Sequence, residues 1–161
     1  MTAPNKWDRR WLNLAKHFSE WSKDPSTRVG AVFVRDRRPL SQGWNGFPRG
    51  IHDDDERLDN RDVKYRLTVH AEMNAIYNAG YIGVSLNGST LYVYGLPVCS
   101  DCSKGIIQTG VKSIHTVFPD SLSPKWNESG AAAHSLFKEA GIPYSRVDEE
   151  TGESKKFPWE T

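Results

Sequence analysis

Two cysteines in a chain of 161 residues leave few ways to hold a metal, and here they stand three apart in Cys99-Ser100-Asp101-Cys102. That spacing sets both sulfurs on the same side of a helical turn. Upstream, His70-Ala71-Glu72 offers an imidazole and a carboxylate. One imidazole and two thiolates supply three ligands of a tetrahedral zinc and leave the fourth position to water. Glu72 is not needed as a ligand and is free to move protons, which marks a metal that activates water rather than one that props up a fold. The fold is constrained accordingly, because two segments far apart in sequence must start at one point in space.

Alone, each motif has a blander reading. A lone His-x-Glu recurs by chance, and C-x-x-C also reads as a redox pair, half of a structural zinc site or two small buried residues. A four-cysteine site needs more cysteines than one subunit has. A thioredoxin-like pair belongs soon after the first strand, and this one comes late. Local sequence favours convergence. In HAEMNAIYNAG, Met73, Ile76 and Tyr77 recur at helical spacing and Gly80 offers a stop, placing His70 and Glu72 in a first turn. In CSDCSKGIIQTG, Ile106 and Ile107 form an apolar face ending at Gly110, with Cys99 and Cys102 in the first turn. The positive end of that helix dipole favours thiolates.

The remaining chain reads as alternating elements. Trp7, Trp11, Leu14, Phe18 and Trp21 recur at helical spacing before Asp24-Pro25-Ser26 breaks the pattern. Val29 to Val34 is a buried-strand run, with Leu40 to Trp44 as its hairpin partner. Asn45 to Arg66 reads as a long loop, of the kind that is functional or mobile. Strands follow at Thr90 to Tyr94, Ser113 to Phe118 and Pro143 to Val147, with an irregular stretch from Asp120 to Gly130 and a helix from Ala131 to Ala140. A helix joining two strands of one sheet implies a parallel crossover. The expected architecture is α/β and three-layered: a mixed five-stranded sheet, helices on both faces, the last two strands parallel. Residues 1–147 form one domain, and 148–161 a polar, loosely held tail with Phe157 and Trp159 as candidate anchors.

Apolar content of 37% and charged content of 25% fit a globular domain. A net charge of +1 gives no basic excess for binding nucleic acid. No apolar run approaches membrane-spanning length, and MTAPNKWDRR lacks the hydrophobic stretch of a secretion signal. Paired thiols kept for metal call for a reducing compartment, so the expected location is cytoplasmic.

With the motifs placed, the sequence resembles the deoxycytidylate (dCMP) deaminase family of the zinc-dependent cytidine deaminase superfamily, whose signature is H-x-E followed by C-x-x-C. The resemblance runs from about Trp7 to Val147 and rests on SKDPSTRVGAV, GWNGFPRG, HAEMNAI and PVCSDCSKGIIQTG. One departure is visible: Val98 separates Pro97 from Cys99, where the family motif sets proline beside cysteine. The resemblance implies a three-layer cytidine-deaminase-like fold, with one catalytic zinc on His70, Cys99 and Cys102 and Glu72 as proton shuttle. It implies Asn45 at the substrate sugar, and Arg28 and Arg49 as phosphate contacts. It further implies a homo-hexamer that turns dCMP into dUMP for thymidylate synthesis, activated by dCTP and inhibited by dTTP near the GWNGFPRG loop, where Gly46, Arg49, His52 and Asp54 lie.

Several residues keep two readings. His52 with Asp53, Asp54 and Asp55 is either a solvated acidic loop or a site for Mg2+ accompanying an effector triphosphate. Trp126 either stacks on the substrate base or anchors packing. Arg28 either meets phosphate or solvates the strand entry. His17 and His134 read as helix surface, and His115 as a strand residue without a partner motif. Rival functions are deamination of cytidine, cytosine or adenosine in transfer RNA, and a non-catalytic zinc or nucleotide-binding module.

Overall fold

A computed structural model of the chain describes residues 3–161. Its frame is one six-stranded sheet in the order β2-β1-β3-β4-β5-β6. The strands are β1 (Gly30–Arg35), β2 (Arg38–Trp44), β3 (Thr90–Tyr94), β4 (Ser113–Val117), β5 (Tyr144–Val147) and β6 (Ser154–Lys155). β1 lies antiparallel to both β2 and β3. β3, β4 and β5 run parallel, as crossover helices between them require.

Alternation along the strands sorts side chains to two faces. Ala31, Phe33, Leu91, Val93 and Ile114 enter the larger core, and Val32, Val34, Tyr92 and Val117 the smaller one. Helix α1 (Lys6–Ser19) covers the second face with Leu12 and Ala15. Its start is fixed by Asn5, whose side chain accepts from the Trp7 and Asp8 amides while the Asp8 carboxylate accepts from the Asn5 amide. Helices α4 (Ala71–Ile82), α5 (Ser100–Gln108) and α6 (Pro124–Glu139) cover the first face, giving three layers.

The structure departs from the sequence expectations in four places. The sheet has six strands rather than five, because the tail returns to pair β6 antiparallel with β5. Asp148 makes that return: its carboxylate accepts from the Glu150 and Thr151 amides. The tail is held, with Phe157 in the core and Trp159 stacked on Phe118 and Phe157. The stretch from Asn45 to Arg66 is not all loop. It contains α2 (Asp55–Asp59) and the start of α3 (Arg61–Leu67), capped by Asp54 and Asn60. Helix α6 begins at Pro124, with Ser123 as its cap, so Trp126 sits in a first turn and not on a loop. Helix α4 passes Gly80 and ends at Gly83, which adopts φ +76°.

One glycine brings α4 close. A β-carbon on Gly43 of β2 would collide with the Ala71 carbonyl and the Ala75 amide. The helix backbone therefore lies directly on the strand. Three side-chain bonds latch it there: Ser41 Oγ donates to the Ala75 carbonyl, Asn74 Nδ2 to Trp44 and Asn78 Nδ2 to Gln42.

Candidate active site

His70 and Cys99 are the N-caps of α4 and α5, both in extended conformation, and the two helix starts meet above the parallel strands. The His70 ring makes no capping bond, which leaves it free for another partner. Its Nδ1 lies 3.4 Å from Cys99 Sγ and 3.3 Å from Cys102 Sγ. Among the described residues this is the one group of three or more His, Cys, Asp or Glu side chains whose donor atoms converge, all within 4.8 Å of one another. A tetrahedral zinc with Zn–N about 2.0 Å and Zn–S about 2.3 Å sets nitrogen and sulfur donors about 3.5 Å apart. The donor set fits that ion in type, number and spacing.

The start of α5 is fixed from three sides. Cys99 Sγ accepts from the Cys102 amide, the Val98 amide donates to Tyr144 Oη, and the Ser100 amide donates to Ser129 Oγ on α6. Val98, the residue that separates Pro97 from Cys99, is fully buried in the core. The inserted side chain is absorbed by packing, and the ligand spacing survives.

Charge is organised around one sulfur. The Cys102 thiol and the His70 imidazole both donate to Cys99, which holds its pKa down to about 4 against the pull of burial. Cys102, the donor to that thiolate, is pushed up, with burial adding to the effect. His70 is raised to about 9, chiefly by its bond to Cys99 and against burial. A divalent cation entering this triangle displaces those protons. Glu72, in the first turn of α4, is 3% exposed. Burial first, and the Cys99 thiolate second, raise its carboxyl to about 7, while His70 opposes. A carboxyl poised there can both accept and return a proton at neutral pH.

His70 and Glu72 line a cleft of about 800 Å³. Asn45 and Trp126 line it too. The Asn45 amide also braces the wall: Oδ1 accepts from the Val29 amide and Nδ2 donates to the Thr27 carbonyl. Trp126 packs against the core, as one of its two readings expects, and its ring lies 6.2 Å from the His70 ring, centroid to centroid. Arg28 is not brought to the cleft. Its neighbours Thr27 and Val29 line the wall, whereas Arg28 is exposed and its Nε donates to the Asp24 carbonyl.

The expected effector residues lie apart from the cleft floor. Gly46 borders a smaller cavity of about 100 Å³ with Trp21, Trp44, Phe47 and Asp53. Arg49 is exposed and stacks its guanidinium 4.7 Å from the Tyr81 ring centroid. His52 gives its carbonyl to Arg57, and Asp54 caps α2. Asp53 pairs with Lys23 at 3.0 Å. Two carboxylates of the acidic cluster are thus engaged in holding the loop.

Comparison with known proteins agrees with this geometry. The profile of the cytidine and deoxycytidylate deaminase zinc-binding region matches residues 5–118. The chain belongs to that family. It is 39% identical over 140 residues to a deaminase encoded in the luxG 3′ region of Aliivibrio fischeri, covering 86% of this chain and 91% of that one. It is 35% identical over 149 residues to deoxycytidylate deaminase of Mus musculus, covering 88% and 79%. Among solved structures, the dCMP deaminase of cyanophage S-TIM5 in complex with dCMP and dUMP superposes with a TM-score of 0.68 at 26% identity, over 86% of this chain and 94% of that one.

Residues that the sequence reading passed over also shape the site. Asn74 and Ser41 position α4, and Arg61, Lys64, Tyr65 and Lys125 line the cleft mouth. The capping signals at Asn60 and Ser123 were the available clue, since they start the helices that carry the last four to the mouth.

Proposed function

We propose that the protein deaminates dCMP hydrolytically, giving dUMP and ammonia. The observation that carries this is a buried carboxyl, Glu72, in the same first turn that follows a three-donor zinc site, at the floor of a cleft of nucleotide size. The names of similar proteins and the dCMP and dUMP complex of the cyanophage enzyme support the substrate. His70, Cys99 and Cys102 would hold the zinc, which when bound would lower the pKa of a water to about 7 and make hydroxide available. Glu72 would accept a proton from the attacking water and deliver it to N3 of the cytosine ring, which makes C4 electrophilic. After water adds, the same carboxyl carries a proton to the departing amine. Trp126 beside His70 offers its ring to the base, and Asn45 holds the wall that faces the sugar.

Regulation by dCTP as activator and dTTP as inhibitor, with its accompanying Mg2+, is supported by the family resemblance alone. A homo-oligomer, six subunits by resemblance, is supported by the exposed Tyr77, Tyr81 and Ile82 of α4. Paired thiols support a cytoplasmic setting, where dUMP would feed thymidylate synthesis. No helix among the described residues is long and apolar enough to cross a membrane.

The test is ammonia release from dCMP, CMP and deoxycytidine in parallel, each with and without dCTP and dTTP. Turnover of dCMP well above the other two supports the reading. Equal turnover of deoxycytidine, or none of any cytosine compound, overturns it. Activity on dCMP that ignores both triphosphates keeps the reaction and removes the regulation.

A further inference from the structure

The mouth of the catalytic cleft holds three cations, and they are not equivalent. Lys64 is spent: it pairs with Asp24 at 3.2 Å, and both side chains are largely buried. Arg61 on α3 and Lys125 on α6 are exposed. Neither forms an ion pair with any carboxylate among the described residues, although Asp59 lines the same wall. Both converge on one aromatic ring. The Arg61 guanidinium lies 5.3 Å, and the Lys125 ammonium 4.7 Å, from the Tyr65 ring centroid. Arg61 Nη2 also donates to Tyr65 Oη at 3.2 Å, which holds the 48%-exposed ring in the mouth.

Two like charges drawn to one ring stand within about 10 Å, close to the Debye length of about 8 Å at physiological salt. Their positive potentials add at the cleft mouth, so an anion held there is attracted by both. The cleft they border runs to His70 and Glu72, so an anion held there belongs to the molecule whose reacting end lies at the floor. We infer that Arg61 and Lys125, braced by Tyr65, form the subsite for the 5′-phosphate of the substrate. This deepens the reading of the site as one for a cytosine nucleotide, and rests on it. It assigns phosphate recognition to a pair of residues from two helices, where Arg28 stays outside the cleft lining. Guanidinium supplies a planar fork for phosphate oxygens and ammonium a compact charge.

The experiment uses zinc-loaded protein and two readouts. The first is the ratio of kcat/KM for dCMP to that for deoxycytidine in wild type, Arg61→Ala, Lys125→Ala and the double variant. A hydrogen bond to a charged group is worth enough that each single change should lower the ratio about tenfold or more. The loss should fall mainly on KM for dCMP, while Arg28→Ala keeps the wild-type ratio. A wild-type ratio in the double variant overturns the assignment. The second readout is calorimetric titration of wild type and double variant with inorganic phosphate. Should the wild type deaminate neither compound, the functional reading fails and this titration alone decides the subsite. Binding by the wild type that the double variant loses upholds it; equal binding, or none, overturns it.

Discussion

Each face of the sheet holds a half-buried histidine, and the two are tuned in opposite directions. His70 stands at a helix start with two sulfurs at its Nδ1, and its pKa is raised. His115 stands on β4, under α1. Its Nδ1 meets Ser145 Oγ at 2.6 Å, its Nε2 lies 3.6 Å from Asp8, and its ring stacks on Tyr92. Burial lowers its pKa while Asp8 opposes. Serine, histidine and aspartate thus gather in one cluster, the composition of many nucleophilic sites. Yet Ser145 is buried, and Asp8 accepts from Tyr92 Oη at 2.6 Å while capping α1. The cluster clamps a helix to a sheet. His70 differs because a cleft reaches it and because both its sulfur partners share its helix-start geometry. Side-chain type alone does not separate a site from a brace; access and backbone setting do.

Substitution can break that contrast, most severely at the metal triangle. Cys99→Ser should abolish activity together with bound zinc, measured as metal content of the purified protein. Glu72→Ala should keep zinc and lose about 10²–10⁴-fold in kcat, since a positioned acid–base group contributes that much. Turnover near wild type in that variant removes the shuttle role. On the opposite face, Asp8→Ala should leave kcat per folded molecule intact and cost about 2–4 kcal/mol in urea unfolding. It orphans the buried Tyr92 hydroxyl and deletes half of the α1 capping box.

A pH series sharpens the comparison further. Because the folded His115 pKa lies below its ordinary 6.5, the unfolded chain takes up the proton first as pH falls. Its contribution to stability is complete above 6.5 and is lost as pH drops through the folded value. His134, also lowered by burial, adds a slope of the same sign. His115→Asn should therefore remove one falling contribution, read as a rise in unfolding free energy of the variant relative to wild type on going from about pH 7 to pH 5, whatever the opposite slope that the raised carboxyl of Glu72 adds to both. The smallest effect belongs to Arg28→Ala, an exposed change outside the cleft, expected within about 0.5 kcal/mol in stability. A large rise in its KM for dCMP would return Arg28 to the substrate.

The three converging donors and Glu72 were legible in sequence because short spacing, three residues or two, is converted by helix geometry directly into convergence. β1 and β3 were legible because their apolar runs are nearly continuous. What stayed hidden has few apolar contacts of its own. Helix α2 buries only Leu58 and α3 buries nothing fully, so caps at Asp54 and Asn60 define them and periodicity does not. The first turns of α6 read as polar until Ser123 and Pro124 are taken as cap and first position. β6 is two residues long and exists through its pairing with Arg146 and Val147. The Arg61–Tyr65–Lys125 cluster was invisible for the same reason, since it joins α3 to the polar first turn of α6.

Gly43 sits in a strand and touches no ligand, yet α4 rests on it without any side chain between. A single added methyl there would act as a wedge, tilting the segment that carries His70 away from the sulfurs. Tolerance for metal geometry in this chain is therefore written partly into a hydrogen atom on the neighbouring strand, and a screen for zinc loss would find this position as readily as the ligands.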